Sequence, residues 1–126
     1  MGLTDVTLCG KTLCSPVIAA SGTFGFGGEY AGIVDMKKLG ERTITIDCDV
    51  LQGKYGNEGE RLWETPAGLI NSIGLQNPGV RHFIEYELPG MKKLGPAVLA
   101  NLGGSTIETY EEGARLLDET NVDFID

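Results

Sequence analysis

Short apolar runs alternate along the chain with segments in which apolar residues recur at helical spacing. The runs at residues 16–21, 42–47, 96–101 and 122–126 are rich in β-branched and small apolar residues, which is typical of parallel strands buried on both faces. Helical spacing occurs in residues 28–39, 79–94 and 105–120. Strands that alternate with helices predict an α/β fold with a parallel sheet and right-handed crossovers.

Residues 5–15 precede the first of these strands and have a different pattern. Apolar and polar residues alternate roughly on both sides of Gly10-Lys11, which predicts a β-hairpin with its turn at those two residues. We expect this hairpin to form a lid or plug outside the core.

The three helical segments differ in their start and stop signals. Gly40 is expected to end the first helix, and Pro89 with Gly90 is expected to break or bend the second. Ser105 and Glu108 form a plausible capping box for the third. The second helix is predicted to bury Val80, Phe83, Ile84 and Leu88, and the third Ile107, Tyr110, Ala114 and Leu117.

Composition narrows the possible functions. The chain has 126 residues, 41% hydrophobic and 22% charged, as in one soluble domain, and no segment has the roughly 18 apolar residues of a membrane span. A net charge of -8 argues against binding nucleic acid. Three cysteines and no secretory signal after Met1 favour a cytoplasmic protein with reduced thiols, and a single histidine argues against a zinc site.

Residues 50–78 contain many glycines, asparagines and prolines and show no clear period, so we expect a long irregular loop of the kind that often carries function. Other candidate positions follow the predicted strands, at 20–27, 47–49 and 101–104, because ligands bind beyond the carboxyl ends of parallel strands. The alternative, that these glycines serve only tight turns, stays open. Residues 25–28 lack the G-x-G-x-x-G spacing of a dinucleotide site.

Four stretches together resemble class 1 dihydroorotate dehydrogenase, of the type that pairs with an iron-sulfur flavoprotein and uses NAD. They are Ala-Ser-Gly-Thr-Phe-Gly-Phe-Gly at 20–27, Gly56-Asn57 with Arg61, the loop at 64–79 and Ala100-Asn101. The resemblance implies that residues 1–126 form the N-terminal half of a flavin-binding (βα)8 TIM barrel, preceded by the hairpin. It also implies oxidation of dihydroorotate to orotate in pyrimidine (UMP) biosynthesis, in a homo-oligomer.

The resemblance assigns roles to particular positions. An asparagine amide suits a pyrimidine because it offers a donor and an acceptor in one plane. The implied contacts to flavin mononucleotide (FMN) come from Ala20, Ser21, Gly22, Asp47, Cys48 and Asn101, and those to dihydroorotate or orotate from Asp47, Asn71, Ser72, Ile73, Gly74 and Leu75.

Asp47 departs from the family, which has lysine at this position. A cation there stabilises the reduced anionic flavin and the substrate carboxylate, whereas a carboxylate should oppose both. Two readings stay open: Asp47 lowers the flavin potential or weakens orotate binding, or it points into a salt bridge in a locally shifted register. Cys48 is expected to contribute only its backbone.

The family's catalytic base is a cysteine in a loop after the fourth strand, which we expect beyond Asp126, so no catalytic residue is assigned in this chain. A complete barrel takes about 250 residues. The chain is therefore expected to be partial, with doubtful FMN binding, and to aggregate or dimerise through open sheet edges when isolated. The alternatives are a related FMN barrel with another small substrate and a catalytically inactive fragment.

Overall fold

The computed structural model describes residues 2–36, 41–48 and 53–126, with residues 41–48 described by their backbone. The strands, in chain order, are β1 (Val6–Leu8), β2 (Lys11–Leu13), β3 (Ile18–Ala19), β4 (Glu41–Cys48), β5 (Leu62–Thr65), β6 (Gly68–Asn71), β7 (Ala97–Gly104) and β8 (Phe124–Ile125). The helices are α1 (Val80–His82), a π-helical segment (Phe83–Glu87), α2 (Leu88–Leu94) and α3 (Ile107–Asp118). None of the helices in these ranges is long and apolar enough to cross a bilayer.

A four-stranded parallel sheet in the order β3-β4-β7-β8 is the centre of the fold. β4 and β7 pair over eight residues, from Glu41 opposite Ala97 to Cys48 opposite Gly104. β7 therefore runs three residues past the strand predicted at 96–101. Parallel strands with helices between them confirm the predicted α/β class.

The core lies between β7 and the helices. Side chains alternate across β7, so that Val98, Ala100 and Leu102 are buried while Leu99 and Asn101, on the opposite face, are half-buried. The cluster on the helical side consists of Val80, Phe83, Leu88, Met91, Val98, Ala100, Leu102 and Leu117. The predicted buried face of the second helix is thus confirmed at Val80, Phe83 and Leu88, with Ile84 partly buried.

The helical run from Val80 to Leu94 continues through Pro89, so of the two predicted outcomes, a break or a bend, the break does not occur. Proline lacks an N–H, and in an uninterrupted α-helix its ring would clash with the carbonyl four residues before it. Here the π-helical segment ends two residues before the proline, and the intervening Leu88 N–H donates to the carbonyl of Phe83, five residues back. The wider turn accommodates the proline without interrupting the helix.

The predicted helix at 28–39 is wrong for residues 28–36, which form a series of turns, and residues 37–40 lie outside the described residues. The Ile33 and Val34 N–H groups both donate to the Tyr30 carbonyl at 2.9 Å, so one helical turn forms but does not continue. Gly25 and Gly27 have φ angles of 49° and 83°, a left-handed conformation that a right-handed helix cannot include. The glycine-rich run therefore favours turns.

Two hairpins differ from the sequence expectations. β1 and β2 pair antiparallel around Cys9 and Gly10, whose φ angles of 46° and 82° fit a type I′ turn, so the turn lies one residue before the predicted Gly10-Lys11. The segment 50–78 is not wholly irregular, because β5 and β6 form an antiparallel hairpin within it. Its cross-strand pair Trp63 and Ile70 is exposed.

Helix α3 begins one residue later than expected. Its N-cap is Thr106, whose hydroxyl accepts from the Thr109 N–H in a reciprocal capping box, so the predicted Ser105–Glu108 box is wrong. Leu117 is buried and Ala114 partly buried against the core, but Ile107 and Tyr110 are 74% and 46% exposed. The buried stripe is shorter than predicted because the first turn of α3 projects beyond the core it packs on.

Asp123, which precedes β8, joins three elements. Its carboxylate accepts hydrogen bonds from Lys92 in α2, from the Val98 N–H in β7 at 2.8 Å and from Lys11 in β2 at 3.0 Å. Partial burial alone would raise the pKa of this carboxyl, but the hydrogen bonds and the Lys92 charge outweigh burial and hold the pKa below its ordinary value. The ionised carboxylate thus ties the hairpin to the sheet.

Replacing Asp123 with asparagine is expected to destabilise the fold at neutral pH. Because folding lowers the pKa of Asp123, its contribution is fully present above the unfolded value of about 3.9 and is lost as the pH falls through the lower folded value. The difference in unfolding free energy between wild type and Asp123→Asn should therefore be constant from pH 7 to 5 and shrink toward pH 3. Urea unfolding at a series of pH values measures it, and a difference that grows on acidification would contradict the assignment.

Candidate functional site

The carboxyl ends of β3, β4 and β7 bring several predicted site residues to one edge of the sheet. The backbones of Asp47 and Cys48 lie directly beside Gly103 and Gly104, with which they pair. Their side chains lie outside the described part of the chain. Because this edge is where α/β proteins bind ligands, it is the first candidate for the site.

The segment Ala20-Ser21-Gly22 follows β3 as a turn. The Thr23 hydroxyl donates to the Ala20 carbonyl at 2.6 Å and so holds the turn closed. Gly22 has a φ of 76°, and a Cβ built on it would meet no atom within 4 Å. Its backbone is therefore open to close approach by a planar ligand.

Asn101 lies on the sheet face opposite the helical core and is half-buried. Its side-chain amide donates to the Asp126 carboxylate at 2.8 Å. Asp126 also accepts a hydrogen bond at its backbone carbonyl from the Leu102 N–H, at 2.7 Å. The amide of Asn101 is thereby held in a fixed orientation at this edge.

A second group of site residues lies in the loop 71–78 after β6, which is held by an adjacent segment, 53–61. We call this segment the strap. Four hydrogen bonds between backbone groups join the two, at 2.8–2.9 Å: Lys54 N–H to Asn77 O, Asn77 N–H to Lys54 O, Asn57 N–H to Ile73 O, and Ser72 N–H to Arg61 O. The strap and the loop thus form an irregular antiparallel pair.

Two polar side chains of the strap add to this pairing. The Asn57 amide donates to the Ser72 carbonyl at 3.2 Å and to the Ser72 hydroxyl at 2.9 Å. The Arg61 guanidinium donates to the Gln76 side chain at 2.8 Å. The loop is therefore tethered at both ends.

Asn77 fixes the end of the loop. It is 9% exposed, and its side chain donates to the Leu75 carbonyl at 2.7 Å and accepts from the Gly79 N–H at 2.9 Å. Leu75 has a φ of 54°, a left-handed conformation that costs a leucine roughly 1–2 kcal/mol. The hydrogen bonds of Asn77 stabilise this conformation, and strain held in this way is characteristic of binding loops.

A cavity of about 620 Å³ lies between the turn after β3 and this loop, within the size range of small-molecule sites. It brings together Gly22 and Ile73, which the sequence assigned to flavin and to substrate. Asn71 lies at the end of β6, opposite Leu62, and does not line the cavity described here. The lining residues are Gly22, Phe26, Lys54, Tyr55, Ile73, Gln76, Asn77, Pro78 and His82.

Several residues at this cavity have no role predicted from the sequence. Lys54 and Tyr55 come from the strap, and His82 comes from α1, where its imidazole lies 3.6 Å from the Glu87 carboxylate. The pairs Gly56-Asn57 and Asn77-Pro78 were the available signals, because glycine and asparagine mark turns in which a side chain bonds the backbone. Within the described ranges, no three histidine, cysteine or acidic side chains are grouped to hold a metal ion.

Comparisons with known proteins show which family the sequence matches. A family model described as dihydroorotate dehydrogenase matches residues 3–126. The catalytic subunit of dihydroorotate dehydrogenase B (NAD(+)) from Thermoanaerobacter pseudethanolicus is 45% identical over 122 residues, which cover 97% of this chain and 40% of the relative. The same subunit from Petrotoga mobilis is 42% identical over 123 residues, covering 98% of this chain and 40% of the relative. The chain spans about two-fifths of the length of these curated relatives.

Proposed function

We propose, because this chain belongs to the dihydroorotate dehydrogenase family, that it is the N-terminal part of an FMN-dependent enzyme that oxidises dihydroorotate to orotate in pyrimidine biosynthesis. The observation that carries the proposal is the cavity that joins Gly22, after β3, to Ile73, in the strapped loop. One side suits a flavin and the other a small substrate, so the two reactants would lie in contact. In this proposal the chain is half of a (βα)8 barrel whose remaining strands complete the site.

The described residues fit part of an FMN site. The open backbone at Gly22 and the oriented amide of Asn101 can line a flat ring system. We assign the flavin contacts to Ala20, Ser21, Gly22, Asn101 and the backbone of Asp47 and Cys48. FMN supplies, when bound, the two-electron acceptor for the substrate.

We assign the substrate contacts to the loop from Asn71 to Leu75. The strap and Asn77 fix this loop before any ligand binds, which saves the entropy that a flexible loop would lose on binding. The fixed backbone would present its polar groups to the pyrimidine and exclude water from that side. The proton acceptor is assigned to a residue outside this chain.

Asp47 supports a second candidate, a related FMN oxidoreductase with another small substrate. Its backbone lies at the strand edge beside Gly103, where a negative charge disfavours a substrate carboxylate. Lys54, which lines the cavity, carries a positive charge. The two charges act in opposite directions on an anionic ligand, so the substrate identity needs a direct test.

The proposed partners of this protein are inferred from its relatives, which are named as catalytic subunits of an NAD(+)-linked enzyme. We propose an iron-sulfur flavoprotein subunit that passes electrons to NAD, and a homo-oligomer of the catalytic chain. The exposed Trp63 and Ile70 of the β5–β6 hairpin are available for such contacts. The cytoplasmic location stays part of this proposal, supported by the odd number of cysteines, three, in the sequence.

The intact protein is expected to purify with flavin absorbance, and orotate should perturb that spectrum in a saturable titration. Asp47→Lys should tighten orotate binding about tenfold or more if the carboxylate opposes the ligand, since one favourable ion pair in a partly buried site is worth at least 1.4 kcal/mol. Glu58→Lys, in the exposed part of the strap, makes the same change in net charge and is the control. If neither the wild-type flavoprotein nor Asp47→Lys binds orotate, the result would favour the second candidate function.

A further inference from the structure

We propose that Asn57 is a positioning residue that holds the loop 72–74 in the geometry required to bind the substrate. The inference rests on the proposed function, because it takes this loop to be the substrate loop. Asn57 lies in the strap and is exposed. The strap residues that line the cavity are Lys54 and Tyr55, so Asn57 contacts the loop from outside the cavity.

Asn57 contacts three consecutive loop residues. Its side-chain amide donates to both the carbonyl and the hydroxyl of Ser72, and its backbone N–H donates to the carbonyl of Ile73 at 2.9 Å. A Cβ built on Gly74 would lie 2.5 Å from the side-chain oxygen of Asn57 and 2.7 Å from its backbone nitrogen. The loop therefore packs directly on the Asn57 backbone and side chain.

The chemistry of the side chain matters as well as its size. The amide nitrogen has two hydrogens, and the two oxygens of Ser72 take both. An aspartate of the same shape would have no hydrogen to donate and would place a charge beside the Ser72 carbonyl. Asparagine thus fixes the orientation of the Ser72–Ile73 peptide, and Ile73 lines the cavity.

The Arg61–Gln76 hydrogen bond is a second tether, but it holds only the far end of the loop. Loss of the Asn57 side-chain amide should loosen the segment 72–74, which keeps its backbone hydrogen bonds to Asn57 and Arg61. The hairpin β5–β6 should stay folded, because its own strand pairing is intact. The effect is therefore expected in ligand affinity rather than in the flavin content or the overall fold.

The test uses the intact flavin-loaded protein and three variants, Asn57→Asp, Asn57→Ala and Ser72→Ala. Orotate affinity, measured by flavin absorbance, should weaken about tenfold or more in both Asn57 variants, the equivalent of about one to two hydrogen bonds. KM for dihydroorotate should rise more than kcat falls. Hydrogen-deuterium exchange at residues 72–75 should increase while exchange in β7 stays unchanged.

A double-mutant cycle separates positioning from a general loss of stability. If Asn57 acts through Ser72, the Asn57→Ala effect on orotate affinity should be smaller in the Ser72→Ala background, because one of its two partners is already absent. Glu58→Gln is the matched neighbour and should bind orotate as wild type does.

Unchanged orotate affinity in both Asn57 variants of a wild-type protein that binds orotate would overturn the inference. The inference would also be overturned if the losses of orotate affinity caused by Asn57→Ala and Ser72→Ala simply multiplied in the double variant. If wild type itself does not bind orotate, the proposed function fails first, and the inference fails with it. If the Asn57 variants do not fold, Ser72→Ala still tests the inference. Its affinity for orotate should fall by about threefold, because the substitution removes one of the two hydrogen bonds made by the Asn57 side chain.

Discussion

Gly56→Ala is expected to weaken orotate binding by well over tenfold while the protein retains its flavin. A Cβ at this position would lie 2.4 Å from the Ile73 carbonyl oxygen, closer than any Cβ contact in a relaxed structure. The nearest atom belongs to backbone, so the loop itself must move to relieve the clash. Because the Asn57 N–H donates to the same carbonyl, that movement also breaks a hydrogen bond of the strap.

Gly59→Ala is the matched control for this prediction. Gly59 lies in the same strap with a φ of 82°, almost the 84° of Gly56, but a Cβ there meets no atom within 4 Å. Both variants therefore impose the same backbone strain of roughly 1–2 kcal/mol, and only Gly56→Ala adds the clash. Orotate titration of the two flavoproteins measures the difference, and equal affinities would show that the strap does not control the loop.

Phe83→Ala is expected to lower the free energy of unfolding by about 3–5 kcal/mol. Phe83 is fully buried at the start of the π-helical segment, where its ring packs against Phe26 with centroids 6.3 Å apart. Val98 and Leu117 belong to the same cluster, so removal of the ring opens a cavity between the helix and the sheet. This loss is a large part of the stability of an ordinary domain.

Tyr86→Ala provides the comparison, because Tyr86 is an aromatic residue of the same segment but is 62% exposed. Its replacement should cost less than 1 kcal/mol, as for most surface substitutions. Chemical denaturation followed by circular dichroism gives both values. A Phe83→Ala protein as stable as Tyr86→Ala would mean that the helix does not pack on β7 as described.

The sequence predicted the α/β class because buried parallel strands have a distinctive composition. It was less successful where the backbone departs from regular geometry. The π-helical segment could not be foreseen from Pro89, since a proline predicts a break equally well. The spacing of Tyr30, Ala31 and Val34 predicts a helix at residues 28–36, but the structure has turns there, since the preceding glycines favour turns.

Only some residues of the candidate site could be predicted from the sequence. The resemblance pointed to Gly22 and Ile73, which line one cavity in the structure. It gave no role to Asn57 or Asn77, because their importance depends on which carbonyls lie within hydrogen-bonding reach, and those belong to residues up to 15 positions away. The effect of Asp47 stays a prediction, since its side chain lies outside the described residues.

The π-helical segment also leaves a trace in the sequence itself. The buried residues of this helical run are Val80, Phe83, Leu88 and Met91, at spacings of three, five and three. An α-helix returns to the same face after three or four residues, so the step of five records one inserted residue. Deletion of Glu85 would convert that step to four and give an ordinary amphipathic helix. The ring of Pro89 would then clash with the carbonyl four residues before it. A proline one residue after such a step of five is therefore a usable marker of a widened turn in related sequences.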